Sequence, residues 1–237
     1  MKLLVFFCVL SSAYVNCQLA SFIEPCHAQD RACLKRSAQK AVGVVAQGVP
    51  SLGIRPLDPL HVEHVDASTS GHILHLSKTV VKGLKHCKVL DIGRTKSNET
   101  FVTLRCPNLE LVGDYYIGGK LLFVEAMGKG KYKITLSEIM ETVVMQMGER
   151  SYNGERYWTV DSWEHHSDAT EPVHYQFQNM FEGREKFSNR THRIANENWH
   201  QVYVEAAPPI VKAITSHVVA EIAKLFQHVP IRQLALD

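Results

Sequence analysis

The segment from Gly48 to Leu60 limits the folds open to this chain more than any other. It reads Gly-Val-Pro-Ser-Leu-Gly-Ile-Arg-Pro-Leu-Asp-Pro-Leu, with three prolines separated by apolar residues. Proline has no N–H to donate and fixes φ at about −65°, so this run fits neither a helix interior nor a central strand. We expect a rigid, extended junction with one set of side chains in a core: Val49, Leu52, Ile54, Leu57 and Leu60.

A helix is predicted before this junction and a sheet after it. Asp30 is suited to cap a helix that runs to about Gln47, with Gly48 as its terminator. Between residues 60 and 163, short runs of β-branched and aromatic residues are punctuated by glycines, which predicts a long, curved antiparallel meander. Residues 174–178 predict one further strand.

The last part of the chain returns to helical spacing, from about Lys186 to Gln227. Its apolar residues recur every three or four positions, as in a helix with a buried face. Pro208-Pro209 predicts a kink or break near the middle, and Pro230 predicts the end. Together these patterns predict an α+β fold in which a long curved antiparallel sheet wraps around a long C-terminal helix.

The amino terminus has the pattern of a secretory signal peptide. Lys2 precedes a nearly continuous apolar run from Leu3 to Leu10, and small residues follow. This run is too short to span a bilayer, which needs about 20 apolar residues. We expect a signal peptide over residues 1–17, a secreted protein without stable membrane insertion, and a single domain over residues 18–237.

Cysteine usage agrees with secretion. Four cysteines lie beyond the predicted signal peptide: Cys26, Cys33, Cys87 and Cys106. An even number in an oxidising compartment favours disulfide bonds. If the segments on either side of the polar turn at 95–98 form a hairpin, Cys87 lies opposite Cys106, and the first two cysteines close a short loop. The alternative is that one pair stays reduced.

Other surface features are those of a secreted binding protein. Asn98 and Asn189 each begin an Asn-x-Thr glycan acceptor pattern. The formal net charge is +2, without the basic stripe that nucleic-acid binding requires. We therefore expect glycosylation at these two asparagines and no nucleic-acid partner.

Residue patterns do not favour metal binding or catalysis. His165 and His166 are adjacent in a predicted strand, so their side chains would point to opposite faces. Asp58 lies between two prolines, where a turn cap explains it better than a catalytic role. The chain has no Gly-x-Ser-x-Gly elbow and no phosphate-binding loop. We predict no metal, no cofactor and no enzymatic activity.

Several motifs, in order and spacing, resemble those of the insect takeout and juvenile-hormone-binding family. They are Pro25-Cys26 with Cys33, the run at 48–60, Gly113-Asp-Tyr-Tyr-Ile-Gly-Gly-Lys-Leu-Leu, Asn179-Met-Phe-Glu-Gly, Asn196-Glu-Asn-Trp and Val229-Pro230. The resemblance implies a tubular lipid-binding fold with an apolar tunnel between sheet and helix. Two departures are that Cys87 and Cys106 are additional to the shared pair, and that Gly128-Lys-Gly-Lys replaces the usual turn.

In such a tube, one set of aromatic and aliphatic residues is expected to line the tunnel: Phe177, Trp199, Tyr203, Ile210, Ile214, Val218 and Ile222. For each of them, ordinary core packing is the competing interpretation. Trp199 and Tyr203 combine an apolar body with one hydrogen-bond donor, which suits contact with the polar end of a ligand.

The resemblance implies a monomeric extracellular carrier of a small hydrophobic ligand, in haemolymph or another fluid. Juvenile hormone, a fatty-acid derivative and a carotenoid-like pigment are the candidate ligands, and a receptor is not identified. The alternative is an extracellular signalling or interaction protein in which the tunnel is vestigial. In that case, crosslinking to a receptor would be unaffected by bulky substitutions at Ile214 or Val218.

Overall fold

The computed structural model describes residues 19–95 and 98–236. The predicted signal peptide lies outside these residues. The regular elements, in chain order, are α1 Arg31–Gln47, β1 Leu60–Asp66, β2 His72–Lys82, β3 Lys88–Arg94, β4 Glu99–Leu121, β5 Val124–Tyr152, β6 Glu155–Ala169, β7 Val173–Phe177, α2 Glu185–Glu197 and α3 Trp199–His228.

One antiparallel sheet contains all seven strands, in the order β1-β2-β4-β5-β6, with β3 also on β4 and β7 also on β5. β2 and β3 occupy different halves of β4, since His72 pairs with Gly119 and Arg94 with Thr100. Helix α3 packs on β1 and β6, the two ends of this order, so the open sheet must curve around the helix. The predicted α+β architecture is confirmed.

The strands are much longer than the glycine spacing predicts. β4 has 23 residues and β5 has 29, and several of the glycines lie inside them. A Cβ at Gly113 would lie 2.7 Å from the carbonyl oxygen of Ser77, and one at Gly130 would lie 2.6 Å from that of Gln178. These glycines permit close approach of neighbouring backbone. The sequence interpretation took them as the ends of short strands, and that was wrong.

The C-terminal helix is divided at Asn198. Of the kink or break predicted at Pro208-Pro209, the break is absent, because the helix continues through both prolines. Both prolines lie inside α3. Their missing N–H groups free two carbonyls one turn earlier, and Pro208 lies on the exposed side of the helix, where water can satisfy them. Asn198 ends α2 instead, because its Nδ2 donates to the Ile194 carbonyl oxygen at 2.8 Å. α3 ends two residues before Pro230, as predicted.

Both predicted disulfide bonds are present in the structure. The Cα atoms of Cys26 and Cys33 are 5.8 Å apart, and those of Cys87 and Cys106 are 4.1 Å apart. β3 and the first part of β4 form the predicted hairpin; two residues of its turn, 96 and 97, lie outside the described part of the chain.

The two predicted glycan acceptors, Asn98 and Asn189, are exposed. Asn98 lies at the β3–β4 turn, and Asn189 lies on helix α2. Glycosylation at both positions stays a prediction.

The proline-rich junction is compact as well as rigid. Helix α1 is capped by the Asp30 carboxylate, which accepts from the Cys33 amide at 2.9 Å, and it ends at Gly48 as predicted. The chain then makes a 3₁₀ turn over Pro50–Leu52, where we expected an extended segment. This turn lets Leu52 and the nearby Ile54 reach the core, where each is 2% exposed.

Asp58 ties the end of this junction to the turn between β2 and β3. Its carboxylate accepts from the Gly83 amide at 3.2 Å and from the Lys85 amide at 3.0 Å. The side chain therefore has the turn-stabilising role that the sequence predicts.

A buried carboxylate fastens the junction to α3. The Glu221 side chain is 3% exposed and accepts from Arg55 Nε at 2.8 Å and from Lys224 Nζ at 2.6 Å. The Arg55 backbone amide donates to the second oxygen at 2.9 Å. Burial alone would raise the pKa of this carboxyl, but the hydrogen bonds from Lys224 and Arg55 outweigh burial and hold the pKa below its ordinary value.

In the variant Glu221→Gln we expect the free energy of unfolding to fall by about 2 kcal/mol at about pH 7, because charged hydrogen bonds are lost. A lowered folded-state pKa contributes stability above the ordinary glutamate pKa, and this contribution is lost as the pH falls through the lowered value. The difference from wild type should therefore shrink in urea denaturation at about pH 3.

The exposed Glu197, at the end of α2, provides the matched control Glu197→Gln, which should leave stability nearly unchanged. A Glu221→Gln difference of the same size at both pH values would contradict the role assigned to this carboxylate.

Candidate ligand-binding site

An elongated cavity of about 390 Å³ lies between α1, α3 and the concave face of the sheet. Its lining extends along α3 from Val202 to Phe226, which corresponds to about 36 Å of helix. Its volume falls in the range of small-molecule sites, about 300–1,000 Å³. Most side chains in the lining are apolar, so the cavity suits a long hydrophobic molecule.

Six of the seven residues predicted to line the tunnel do line this cavity: Phe177, Tyr203, Ile210, Ile214, Val218 and Ile222. The seventh, Trp199, is not part of the lining; it packs against the edge of the core, and its carbonyl oxygen accepts from Tyr175 Oη at 3.2 Å. It is the first residue of α3, three residues before Val202, where the part of the lining on α3 begins. Whether the other six contact a ligand stays a prediction.

The sequence interpretation missed the contributions of α1 and of the sheet. Helix α1 lines the cavity with small and branched side chains, including Leu34, Ala38 and Val42. β5 contributes Ile134 and Leu136 and then, after a shift of one position, every second residue from Ile139 to Met147, in keeping with the two-residue period of a strand. This alternation is visible in the sequence, and it has one polar member, Glu141, which could have been singled out on that ground.

Aromatic rings surround Phe177 at one end of the cavity. Its ring contacts Tyr115 edge-on at 4.8 Å between centroids and lies parallel to Tyr132 at 6.1 Å. Burial raises the pKa of each of these two tyrosines to about 12. Both phenols therefore stay protonated, and each makes a hydrogen bond, to the Gln178 carbonyl oxygen and to Thr79.

The position of Phe177 depends on a neutral histidine. The Phe177 amide donates to His192 Nε2 at 2.9 Å, so that nitrogen must have a free lone pair. Burial is the main cause that lowers the pKa of His192, and nearby His174 lowers it further. A hydrogen bond to the Ser188 backbone opposes this shift of the pKa. Ser188 Oγ also lies 3.4 Å from His192 Nδ1.

A second group of polar side chains lies within the apolar lining. Glu141 on β5 has its Oε1 3.0 Å from His165 Nδ1 and accepts from Thr215 Oγ1 at 3.1 Å. Next to it, Ser167 Oγ and Tyr203 Oη are 2.7 Å apart. Burial raises the pKa of Glu141 and of Tyr203. We call these five residues the Glu141 cluster.

The Arg94 side chain lines the cavity near the end opposite Phe177. Arg94 donates to the Cys26 carbonyl oxygen at 2.9 Å, and its guanidinium lies 5.3 Å from the centre of the Trp158 ring. Phe226 contacts the same ring edge-on at 5.8 Å. Because Arg94 is held by these contacts, it closes this part of the wall.

His165 and His166 point to opposite faces of strand β6, as predicted. His165 is partly buried in the Glu141 cluster, whereas His166 is exposed on the opposite face of β6. Residues 19–95 and 98–236 contain no group of three or more metal-ligating side chains that could hold an ion. Within the same ranges, none of the helices combines the length and apolar character needed to cross a membrane.

An open sheet curved around a long helix, with an apolar cavity between them, defines the class of tubular binding proteins for lipophilic molecules. A family profile described as "Haemolymph juvenile hormone binding protein (JHBP)" matches residues 3–236. The chain therefore belongs to the haemolymph juvenile hormone binding protein family.

Similar proteins agree with this assignment. The structure of Takeout 1 from Epiphyas postvittana superimposes with a TM-score of 0.87 at 24% identity, covering 91% of this chain and 100% of the other. The juvenile hormone-binding protein of Manduca sexta is 32% identical over 100 residues, which are 41% of this chain and 44% of that protein. The circadian clock-controlled protein daywake of Drosophila yakuba is 21% identical over 88% of this chain and 85% of its own length.

Acidification should weaken the contact between α2 and β7. A histidine with a lowered folded-state pKa contributes stability that is present above its ordinary pKa, about 6.5, and is lost as the pH falls through the lowered value. In His192→Gln the amide oxygen can still accept from Phe177 but does not titrate. Between about pH 7.5 and 5.5 we expect wild type to lose about 1 kcal/mol more stability than this variant.

Urea denaturation at the two pH values measures this difference. The exposed His166, changed to Gln, is the control and should behave like wild type. If wild type and His192→Gln lose equal stability, the assigned neutral state of His192 is wrong.

Proposed function

We propose that this protein is a secreted, monomeric carrier that binds one small lipophilic molecule in the cavity between α3 and the sheet. The single observation that carries the proposal is the elongated apolar cavity of about 390 Å³. The family description supports haemolymph as the compartment, and the two disulfide bonds suit an oxidising fluid.

The energetics of such a cavity support reversible capture. Burial of about 400 Å² of apolar ligand surface contributes about 10 kcal/mol. Association costs at least about 4 kcal/mol, which leaves about 6 kcal/mol or less from burial alone. A preformed cavity and a few hydrogen bonds must supply the rest of the affinity. The proposed mechanism is therefore capture, shielding from water and release, without a covalent step or an enzymatic reaction.

The candidate ligands are a juvenile hormone, a fatty-acid derivative and a carotenoid-like pigment. The name of the Manduca sexta relative supports the first, although the similarity spans less than half of that protein. Extraction of the protein from its source with an organic solvent, followed by mass spectrometry of the extract, would identify the ligand.

Occupying the cavity with a side chain should weaken ligand binding. In Val218→Trp, the indole extends from the cavity face of α3 into the empty volume. We expect this variant to bind the uncharged fluorophore N-phenyl-1-naphthylamine at least about tenfold more weakly than wild type, a loss of about 1.4 kcal/mol. Fluorescence titration measures the affinity, and thermal unfolding checks that the variant is folded.

Val204 is 58% exposed on the same helix, so Val204→Trp is the matched control and should bind like wild type. If Val218→Trp does not fold, Ile214→Trp tests the same point from the neighbouring turn. Fluorophore binding that is unchanged in a folded cavity variant would place the binding site elsewhere, and wild type that binds no lipophile would refute the carrier function.

A further inference from the structure

Glu141 is the polar member of an apolar row. On the inward face of β5 its neighbours are Ile139, Val143 and Met145, and each of them is buried and lines the cavity. Charged residues are rarely placed in such a row unless they are paired, because burial of a charge without compensation is unfavourable. The carboxyl group therefore requires an explanation beyond packing.

The hydrogen bonds of Glu141 satisfy only half of the carboxyl group. Oε1 accepts from Thr215 Oγ1 and lies 3.0 Å from His165 Nδ1. Oε2 is buried, and none of the described residues, 19–95 and 98–236, forms a hydrogen bond of good geometry with it. Ser167 lies near enough to lower the pKa of the carboxyl group, but its Oγ is paired with Tyr203 Oη at 2.7 Å. A buried oxygen left in this state costs free energy comparable to a lost hydrogen bond, so a partner for it is expected.

Glu221 shows what a structural carboxylate looks like in the same protein. Both of its oxygens accept hydrogen bonds, and Arg55 and Lys224 balance its charge. Within the described ranges, Glu141 forms no ion pair with a lysine or an arginine, and Glu221 does not line the cavity. Both carboxylates are buried, but of the two only Glu141 lines the cavity and keeps one oxygen unused.

We propose that Oε2 of Glu141 hydrogen-bonds a hydroxyl group of the bound molecule, which makes the ligand an uncharged lipophile that carries a hydroxyl. This inference rests on the carrier function proposed above. β5 continues as apolar lining for about 20 Å on either side of Glu141, so an aliphatic or terpenoid body can extend from the hydroxyl in both directions.

The choice of a hydroxyl follows from the donors and acceptors available. A hydroxyl both donates and accepts, so it pairs with Oε2 whether Glu141 is ionised or protonated. An ester or ether can only accept, and it requires the protonated form. A carboxylate ligand also requires the protonated form and would add a second negative charge beside Glu141. Of these groups, only the hydroxyl suits both states of the site.

The test compares two isomers of identical composition, 1-hexadecanol and 1-methoxypentadecane, as competitors of N-phenyl-1-naphthylamine on the full chain. We expect wild type to bind the alcohol about tenfold more tightly than the ether. In Glu141→Leu this preference should vanish or reverse, because a hydroxyl is costlier than an ether to bury without a partner. Glu141→Gln, which keeps an acceptor and gains a donor, should retain part of the preference.

Glu164→Leu is the matched control, since it removes an exposed carboxylate from the adjacent strand β6 and should keep the wild-type ratio. Thermal unfolding and the affinity for the fluorophore confirm that each variant is folded and has an open cavity. If Glu141→Leu does not fold, Glu141→Gln alone decides: a preference for the alcohol that falls below the wild-type value of about tenfold supports the proposal, and an unchanged preference contradicts it.

Equal affinity of wild type for the two isomers would overturn the role of Glu141 while leaving the carrier function intact. The role of Glu141 would also be overturned if Glu141→Leu kept the wild-type preference for 1-hexadecanol over 1-methoxypentadecane. It would be overturned as well if wild type bound hexadecanoate more tightly than 1-hexadecanol. Failure of wild type to bind the fluorophore and both isomers would instead refute the carrier function itself.

Discussion

The architecture depends on the need to bury the apolar side of α3. Buried side chains such as Val202, Tyr203 and Val219, together with cavity-lining ones such as Val211 and Ile222, form a broad face along the whole helix. A flat sheet covers one stripe of a helix and would leave much of this surface in water. The sheet must therefore curve until both of its ends reach the helix.

The cavity follows from this curvature. α3 packs mainly on β1, β6 and β7, whereas the central strands β4 and β5 stand further away. Their inward side chains, together with α1 and the Cys87–Cys106 disulfide bond, line the space that remains. A single helix cannot fill the concave side of so long a sheet, so the same constraint that curves the sheet also creates the binding volume.

Local chemistry explains which parts of the fold could be predicted from the sequence. The cap at Asp30 and the pairing of Cys87 with Cys106 depend on neighbours along the chain or across one hairpin, and both are present. The strand boundaries were predicted wrongly at Gly113 and Gly130. These positions require glycine because backbone distant in the sequence approaches them closely, which the sequence does not show. The helix break predicted at Pro208-Pro209 is absent for a similar reason, since the exposure that lets a helix tolerate them depends on how α3 packs.

Among the cavity residues too, those that follow from a local pattern could be predicted, and those that depend on distant contacts could not. Helical spacing located five of the predicted lining positions, all on α3, because a buried face of that helix had to meet the sheet; the sixth, Phe177, lies on β7. The spacing did not distinguish Trp199, because the pattern does not show that α3 begins at this residue and that the lining begins only at Val202. Glu141 was overlooked although it interrupts an alternating apolar row, since only the structure shows that its partners are neutral or weakly basic groups.

Selectivity in a tube of this kind must come from its few polar groups. An apolar wall distinguishes ligands that differ by one methylene group by only about 1–3 kcal/mol. A buried group that requires a hydrogen bond discriminates far more strongly, because the wrong ligand leaves it unpaired. In this cavity Arg94 is already engaged with Cys26 and Trp158, whereas Glu141 retains an unused oxygen. The apolar lining therefore determines that a lipophile binds, and the Glu141 cluster is the part of the wall with the chemistry to determine which one.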